Sequence, residues 1–139
     1  MAIAPTTLDE LKRRARHAAQ HAYAPYSGFR VGAAVLTSQG EICTGANVEN
    51  ASLGLTICAE RNAIFQAVAR GALAIDAVVV YTPTPAATAP CGACRQVIHE
   101  FGPAALIVCC TDEDAAERRY TLGELLPGAF GPDQLAGRS

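Results

Sequence analysis

Residues 58–110 read CAERNAIFQAVARGALAIDAVVVYTPTPAATAPCGACRQVIHEFGPAALIVCC, and this stretch decides the fold. Cys58 to Arg70 predicts a helix, with Ala63, Ile64, Ala67 and Val68 on one apolar face and Gly71 as its stop. Ile75 to Thr82 is a near-continuous apolar run, the pattern of a strand covered on both sides. Pro83 to Pro90 is a Pro/Thr/Ala loop. Cys91 to Phe101 predicts another helix, stopped by Gly102 and Pro103, and Ala105 to Cys110 another buried strand. Strand–helix–strand order calls for parallel strands with helices packed over the sheet.

Upstream, Thr6 or Thr7 predicts an N-cap, with Asp9 or Glu10 placed to complete a capping box. Leu8, Leu11, Ala15, Ala18, Ala19 and Ala22 then follow a helical stripe to about Tyr23. Pro25-Tyr26-Ser27-Gly28 is a loop. Phe29 to Thr37 and Glu41 to Val48 read as strands joined by Ser38-Gln39-Gly40, a hairpin that adds an antiparallel edge. Asn47 to Thr56 is polar and reads as a loop. Downstream, a weaker strand is predicted near Arg118 to Tyr120. Thr121 and Glu124 predict a capping box on a short helix ending before Pro127, and the tail after Phe130 reads as loop. The expectation is an α/β fold: a three-layer α/β/α sandwich with a mixed sheet of about five strands. Residues 1–139 are read as one domain.

Half of the residues are apolar and 17% are charged, so the chain can build a core and disorder is not expected. Net charge is −2, and no stretch is read as a run of Lys or Arg. That speaks against binding energy drawn from neutralised phosphates, and so against a nucleic-acid partner. No apolar stretch approaches the ~20 residues of a membrane span, so no membrane partner is expected. Met1 to Leu11 lacks the pattern of a signal peptide. Six cysteines in such a chain would suggest disulfides in a secreted domain. With no mark of secretion, a reducing cytoplasm is the expected compartment, and the thiols are free for metal binding, catalysis or packing.

Three of those cysteines share one kind of setting. Cys58 opens one predicted helix, and Cys91 and Cys94 form a Cys-x-x-Cys at the start of another, after Pro90. A helix N-terminus carries partial positive charge and unpaired N–H groups, both of which favour thiolate. Two such starts facing one another would bring three thiolates to one point, with a fourth position open. That is the arrangement of a catalytic zinc site, whereas a structural site is closed by four protein ligands. Glu60, in the first turn after Cys58, is placed to handle protons beside the metal. Zinc makes hydroxide available near neutral pH by lowering the pKa of water to ~7. Three thiolates weaken that acidity, and Arg61 is positioned to donate hydrogen bonds to the sulfurs and restore part of it.

Cys58-Ala59-Glu60 followed by Pro90-Cys91-Gly92-Ala93-Cys94 resembles the zinc deaminase signature in its three-cysteine form. The stretches Pro25 to Ala34, Gly45 to Ser52, Cys58 to Arg61 and Pro90 to Gln96, with Leu125-Leu126-Pro127 and Phe130, together resemble the small homotetrameric cytidine deaminases over nearly the whole chain. The resemblance implies a cytidine deaminase-like fold and hydrolysis of cytidine and 2′-deoxycytidine to the uridine forms and ammonia, in pyrimidine salvage. It implies one Zn²⁺ per subunit on Cys58, Cys91 and Cys94, with Glu60 as proton shuttle and backbone near Ala59 supporting the reacting centre. It implies that Asn47 and Glu49 hold the ribose, that Phe29 packs on the base, and that Ala51, Leu53 and Phe130 complete the site of a neighbouring subunit in a homotetramer. Leu53 departs from the family, which usually has an aromatic there. Ala46 stands where Cys is frequent.

Other readings accompany these. Cys43, Cys109 and Cys110 sit in predicted strands and are expected in the core. His17 and His21, four apart on a helix, lack a third ligand and are expected at the surface or an interface, and His99 is read as structural. Alternatives to cytidine deamination are a deaminase of another aminopyrimidine nucleoside, of the blasticidin type, and a zinc-stabilised binding module without catalysis. Deamination of nucleic acid is disfavoured by the absence of a basic patch and by Cys58 standing where such enzymes more often carry His.

Overall fold

The chain, described here as a computed structural model over residues 2–136, begins with α1 (Pro5–Ala19). Its N-cap is Ala4 and Pro5 occupies the first turn, so the expected Thr6/Thr7 cap is not used. Proline at the first helical position has its φ already set and lacks only an N–H that would have no partner anyway. The helix also ends short of Tyr23, because the Tyr23 backbone is engaged elsewhere: its N–H donates to Asn47 O at 3.0 Å and its carbonyl accepts from Glu49 N at 2.8 Å.

β1 (Gly32–Thr37) and β2 (Ile42–Ala46) form the expected antiparallel hairpin. After α2 (Ala59–Ala69) comes β3 (Ile75–Tyr81), then α3 (Gly92–Phe101), β4 (Leu106–Cys110), β5 (Arg118–Thr121) and the short helices α4 (Leu122–Leu125) and α5 (Pro132–Leu135). The sheet order is β2-β1-β3-β4-β5, with β3–β4 parallel and the other pairs antiparallel. The capping box at the start of α4 is present: Thr121 N donates to Glu124 Oε1 at 2.8 Å and Glu124 N to Thr121 Oγ1 at 3.2 Å. α5 is a correction to the expected loop. Pro132 starts it, and Gly131 N donates to Gln134 Oε1 at 2.6 Å.

Alternation along the strands sorts the core into two layers. Ala34, Leu36, Val79, Tyr81, Val108 and Cys110 pack against Leu8, Leu11, Ala15 and Ala19 of α1. Ala33, Val35, Val78, Val80, Ile107 and Cys109 pack on the other face, against Ala63 and Ile64 of α2 and Ile98 of α3. Cys43, Cys109 and Cys110 are buried in these layers, as their strand positions suggested. Among the described residues no helix is long and apolar enough to cross a membrane.

The expected absence of a basic run needs correction. Lys12, Arg13, Arg14 and Arg16 crowd the exposed side of α1. Each is paired with a carboxylate: Arg13 and Arg14 with Glu10, Lys12 with Glu117, and Arg16 with Asp112 at 3.2 Å. The cluster is therefore largely neutralised locally.

Two glycines let helices reach the sheet. A Cβ on Gly32 would lie 1.8 Å from Ala15 O, and one on Gly45 would lie 2.4 Å from Ala63 N and 2.7 Å from Ala59 O. Gly45 thus sets the distance between β2 and the first turns of α2, which follow Cys58. Overpacking a site of this kind costs typically 1–3 kcal/mol. Gly45→Ala is expected to lose at least about that much stability in urea unfolding. A midpoint equal to that of the unsubstituted chain would contradict this account of the α2–sheet contact.

Candidate metal and nucleoside site

Cys58 is the N-cap residue of α2 and Cys91 that of α3, and neither helix has a side-chain cap. Cys94, one turn into α3, is fully buried. The two helix starts meet, so that the Cys58 and Cys91 sulfurs lie 3.8 Å apart and those of Cys91 and Cys94 3.5 Å apart. All three sulfurs fall within 4.8 Å of one another, forming one cluster suited to a metal among the described residues. A tetrahedral ion about 2.3 Å from each sulfur would need sulfur–sulfur edges of about 3.8 Å. The donor set and its spacing therefore fit zinc, with no fourth protein ligand in the cluster among the described residues.

The surrounding charges agree with a thiolate cluster. The hydrogen bond from Cys94 holds the Cys58 thiol down to about 5 against the opposing effect of burial, with Arg61 and Cys91 contributing in the same direction. The same bond and burial push the Cys94 thiol up. Arg61 Nη2 donates to Cys58 Sγ at 3.4 Å, and this bond raises the guanidinium pKa. Its Nε is buried without an acceptor. Glu60 is only 5% exposed. Burial pushes its carboxyl up to about 7, and the Cys58 charge adds to that, while its own backbone N–H and Arg61 act the other way.

A cavity of about 240 Å³ opens beside the sulfurs. Phe29, Asn47, Glu49, Ala59 and Glu60 line it together with Cys58 and Cys91. An isolated antiparallel bridge, Val48 with Ile57, closes the loop between them, so that Asn47 and Glu49 are held close to Cys58. Asn47 is itself a strut. Its Oδ1 accepts from Val31 N at 2.8 Å and its Nδ2 donates to Phe29 O at 2.7 Å. Glu49 is caged by the Pro25–Gly28 loop. Its Oε1 accepts from Tyr26 N at 2.9 Å and Ser27 N at 3.1 Å, and its Oε2 from the Ser27 hydroxyl. The Ser27 hydroxyl bond, with the two backbone N–H groups, holds the carboxyl below its usual range against some burial.

Ala51, Leu53 and Phe130 are not brought into this chain's own cavity. Leu53 is 71% exposed on a short 3-10 turn, and Phe130 is 57% exposed, anchored through its carbonyl, which accepts from Gln96 Nε2 at 2.8 Å. His17 near the end of α1 and His21, in the turn just beyond it rather than on the helix as expected, contact each other edge-to-face; both are exposed and neither belongs to the sulfur cluster. The cavity also has residues that the sequence reading did not single out, among them Val31, Thr56, Thr82 and Thr88. One available signal was position. Thr82 follows the carboxyl end of β3, the edge at which ligands gather in sheets with parallel strands.

Comparison with known proteins agrees with this geometry. The family model described as the cytidine and deoxycytidylate deaminase zinc-binding region matches residues 5–110. A cytidine deaminase of Halalkalibacterium halodurans is 45% identical over 125 residues, covering 90% of this chain and 95% of the relative. One of Mycobacterium tuberculosis is 43% identical over 125 residues, covering 90% of each. The crystal structure of a cytidine deaminase from Burkholderia pseudomallei aligns with a TM-score of 0.84 at 46% identity, over 88% of this chain and 98% of that one. The chain belongs to the cytidine and deoxycytidylate deaminase zinc-binding family.

Removing one sulfur should abolish the clamp, and removing Arg61 should only loosen it. Cys91→Ser is expected to leave little zinc on the purified chain. Arg61→Ala should keep the fold and weaken zinc affinity roughly 10–100-fold in a chelator competition. Full zinc retention by Cys91→Ser would remove Cys91 from the ligand set.

Proposed function

We propose that the chain, acting as one domain over residues 1–139, hydrolyses cytidine and 2′-deoxycytidine to uridine and 2′-deoxyuridine with release of ammonia. The observation that carries this reading is the meeting of three sulfurs beside a buried carboxylate in a cavity that also contains Asn47 and Glu49. Cys58, Cys91 and Cys94 would hold one zinc ion, which supplies the Lewis acidity that makes hydroxide available from water near neutral pH.

The chain's own groups account for the remaining work. Glu60 accepts the proton of the attacking water and delivers it to pyrimidine N3 as the C4–O bond forms. Glu60 then moves the proton of the new C4 hydroxyl to the C4 amine, the C4 carbonyl forms as the C4–N bond breaks, and ammonia leaves. Backbone at Ala59, at the start of α2, supports the reacting centre with its N–H and the helix dipole. Phe29 packs on the base. Glu49 accepts from a ribose hydroxyl, and the Asn47 amide retains a second N–H for the sugar.

The caged, ionised Glu49 also favours a nucleoside over its phosphates. A phosphate charge at about 4 Å would be repelled by roughly 1 kcal/mol in water and by more in a drier site. The exposed Leu53 and Phe130 suit contacts with a second copy, consistent with a homotetramer in which Ala51, Leu53 and Phe130 close a neighbour's cavity. Free thiols as ligands fit a reducing cytoplasm, and turning over a free nucleoside is a step of the kind pyrimidine salvage uses.

Glu60→Gln separates catalysis from a zinc-stabilised binding module. It is expected to keep zinc and thermal stability while kcat for cytidine falls by roughly 10²–10⁴ or more. An unchanged kcat would exclude the shuttle. Glu49→Gln should raise KM for cytidine far more than it alters zinc content, and an unchanged KM would count against the sugar assignment.

A further inference from the structure

The loop joining β3 to Cys91 is tied down by three threonine hydroxyls, and counting their protons gives each a direction. Thr84 Oγ1 donates to Ala86 O at 2.6 Å, which uses its only proton. The 2.7 Å contact between Thr84 and Thr82 must then run from Thr82 to Thr84, using the proton of Thr82 as well. Thr82 Oγ1 is also the donor towards Thr88 Oγ1 at 3.5 Å, a weak share of that same proton, so the Thr88 oxygen accepts there. None of these three contacts uses the hydroxyl proton of Thr88, an exposed residue that lines the cavity. Thr82 is 1% exposed, so its oxygen is held in place by the sheet.

We propose that Thr88 is a further substrate-binding residue, donating its hydroxyl proton to an acceptor atom of the pyrimidine ring, with Thr82 as the positioning residue that fixes the direction of the donor. The chemistry complements the rest of the cavity. Glu49 is an acceptor with its own donors already in place, and suits the hydroxyl donors of a sugar. Thr88 lies three residues before Cys91, on the segment leading to the sulfurs, and supplies a donor, which a ring carbonyl or ring nitrogen can accept. This inference rests on the nucleoside reading above.

The test measures binding apart from turnover. Cytidine is titrated calorimetrically into the zinc-loaded Glu60→Gln chain, alone and with Thr88→Val, Thr88→Ser, Thr82→Val or both valines. Thr88→Val is expected to raise Kd about two- to tenfold, the range for one lost neutral hydrogen bond. Thr88→Ser should restore Kd, because it keeps the hydroxyl. Thr82→Val should weaken binding by itself yet add little on top of Thr88→Val, since its effect passes through the Thr88 hydroxyl that it orients. In the otherwise unsubstituted enzyme, Thr88→Val should raise KM with kcat changed less than about twofold. A wild-type Kd in Thr88→Val overturns the proposal, as does full additivity of the two valines, which marks Thr82 as only structural. Tight cytidine binding without turnover by the native enzyme would instead overturn the deaminase reading and leave this one standing. No binding at all would overturn both.

Discussion

Two helices aim their N-termini at one point, and the rest of the site follows from what that convergence demands. Each helix start carries about half a positive charge and several N–H groups without partners. Facing one another, α2 and α3 would repel unless negative charge filled the gap. The sequence places a cysteine at the N-cap of each and a third one turn along α3, and neither helix uses a side-chain cap that would compete for those N–H groups. Three thiolates overcompensate the two dipoles, and a divalent cation with Arg61 restores the balance. Glu60 then sits buried beside the cluster, at a place where its charge is costly and its proton easily exchanged.

Convergence needs small residues behind it. Gly45 lets β2 touch the backbone of α2, Ala59 and Ala63 are fully buried, and Asn62 Nδ2 donates to Ala46 O at 2.8 Å to fix the helix to the end of β2. On the other side Arg95 bridges Pro90 O at 2.7 Å and Leu125 O at 2.9 Å, which joins the approach to Cys91 to the C-terminal helices. The polar end of the cavity is attached to the same frame. Val48 bonds to Ile57 on one side while the Tyr23 backbone pairs with residues 47 and 49 on the other, so the Asn47–Glu49 segment forms a short ribbon between the end of α1 and the start of α2.

Much of this was legible in the sequence because it rests on local rules. The apolar run at 75–82, the glycine stop at 71 and the Thr121/Glu124 box each act within a few residues, and the structure places elements there. The thiol cluster was legible because helix starts are local signals and three ligands at two starts leave few arrangements. What was missed depends on long-range partners or on competing local choices. Pro5 displaced the threonine caps, and the pairing of Tyr23 with residues 47 and 49 shortened α1. α5 rests on a glycine–glutamine contact that mimics a cap without Ser or Thr. The threonines of the cavity look like ordinary loop residues in a Pro/Thr/Ala segment, and only the direction of their hydrogen bonds gives them meaning.

The distribution of charge bears on the size of ligand that the fold suits. The cations of α1 pack over the Leu36–Tyr81–Cys110 face of the sheet, whereas the cavity opens on the face of Val31 and Val80. Those cations already have carboxylate partners. A polynucleotide draws most of its affinity from unpaired Lys and Arg along its path. Here a charged group lining the cavity is Glu49, a carboxylate held by three donors. A ligand that gains from this arrangement offers hydroxyl donors where a nucleic acid would carry phosphates, and its base must fit within about 240 Å³ next to the sulfurs. Electrostatics and volume thus suit a small uncharged ligand rich in hydroxyl groups better than a polyanion, independently of the chemistry at the metal.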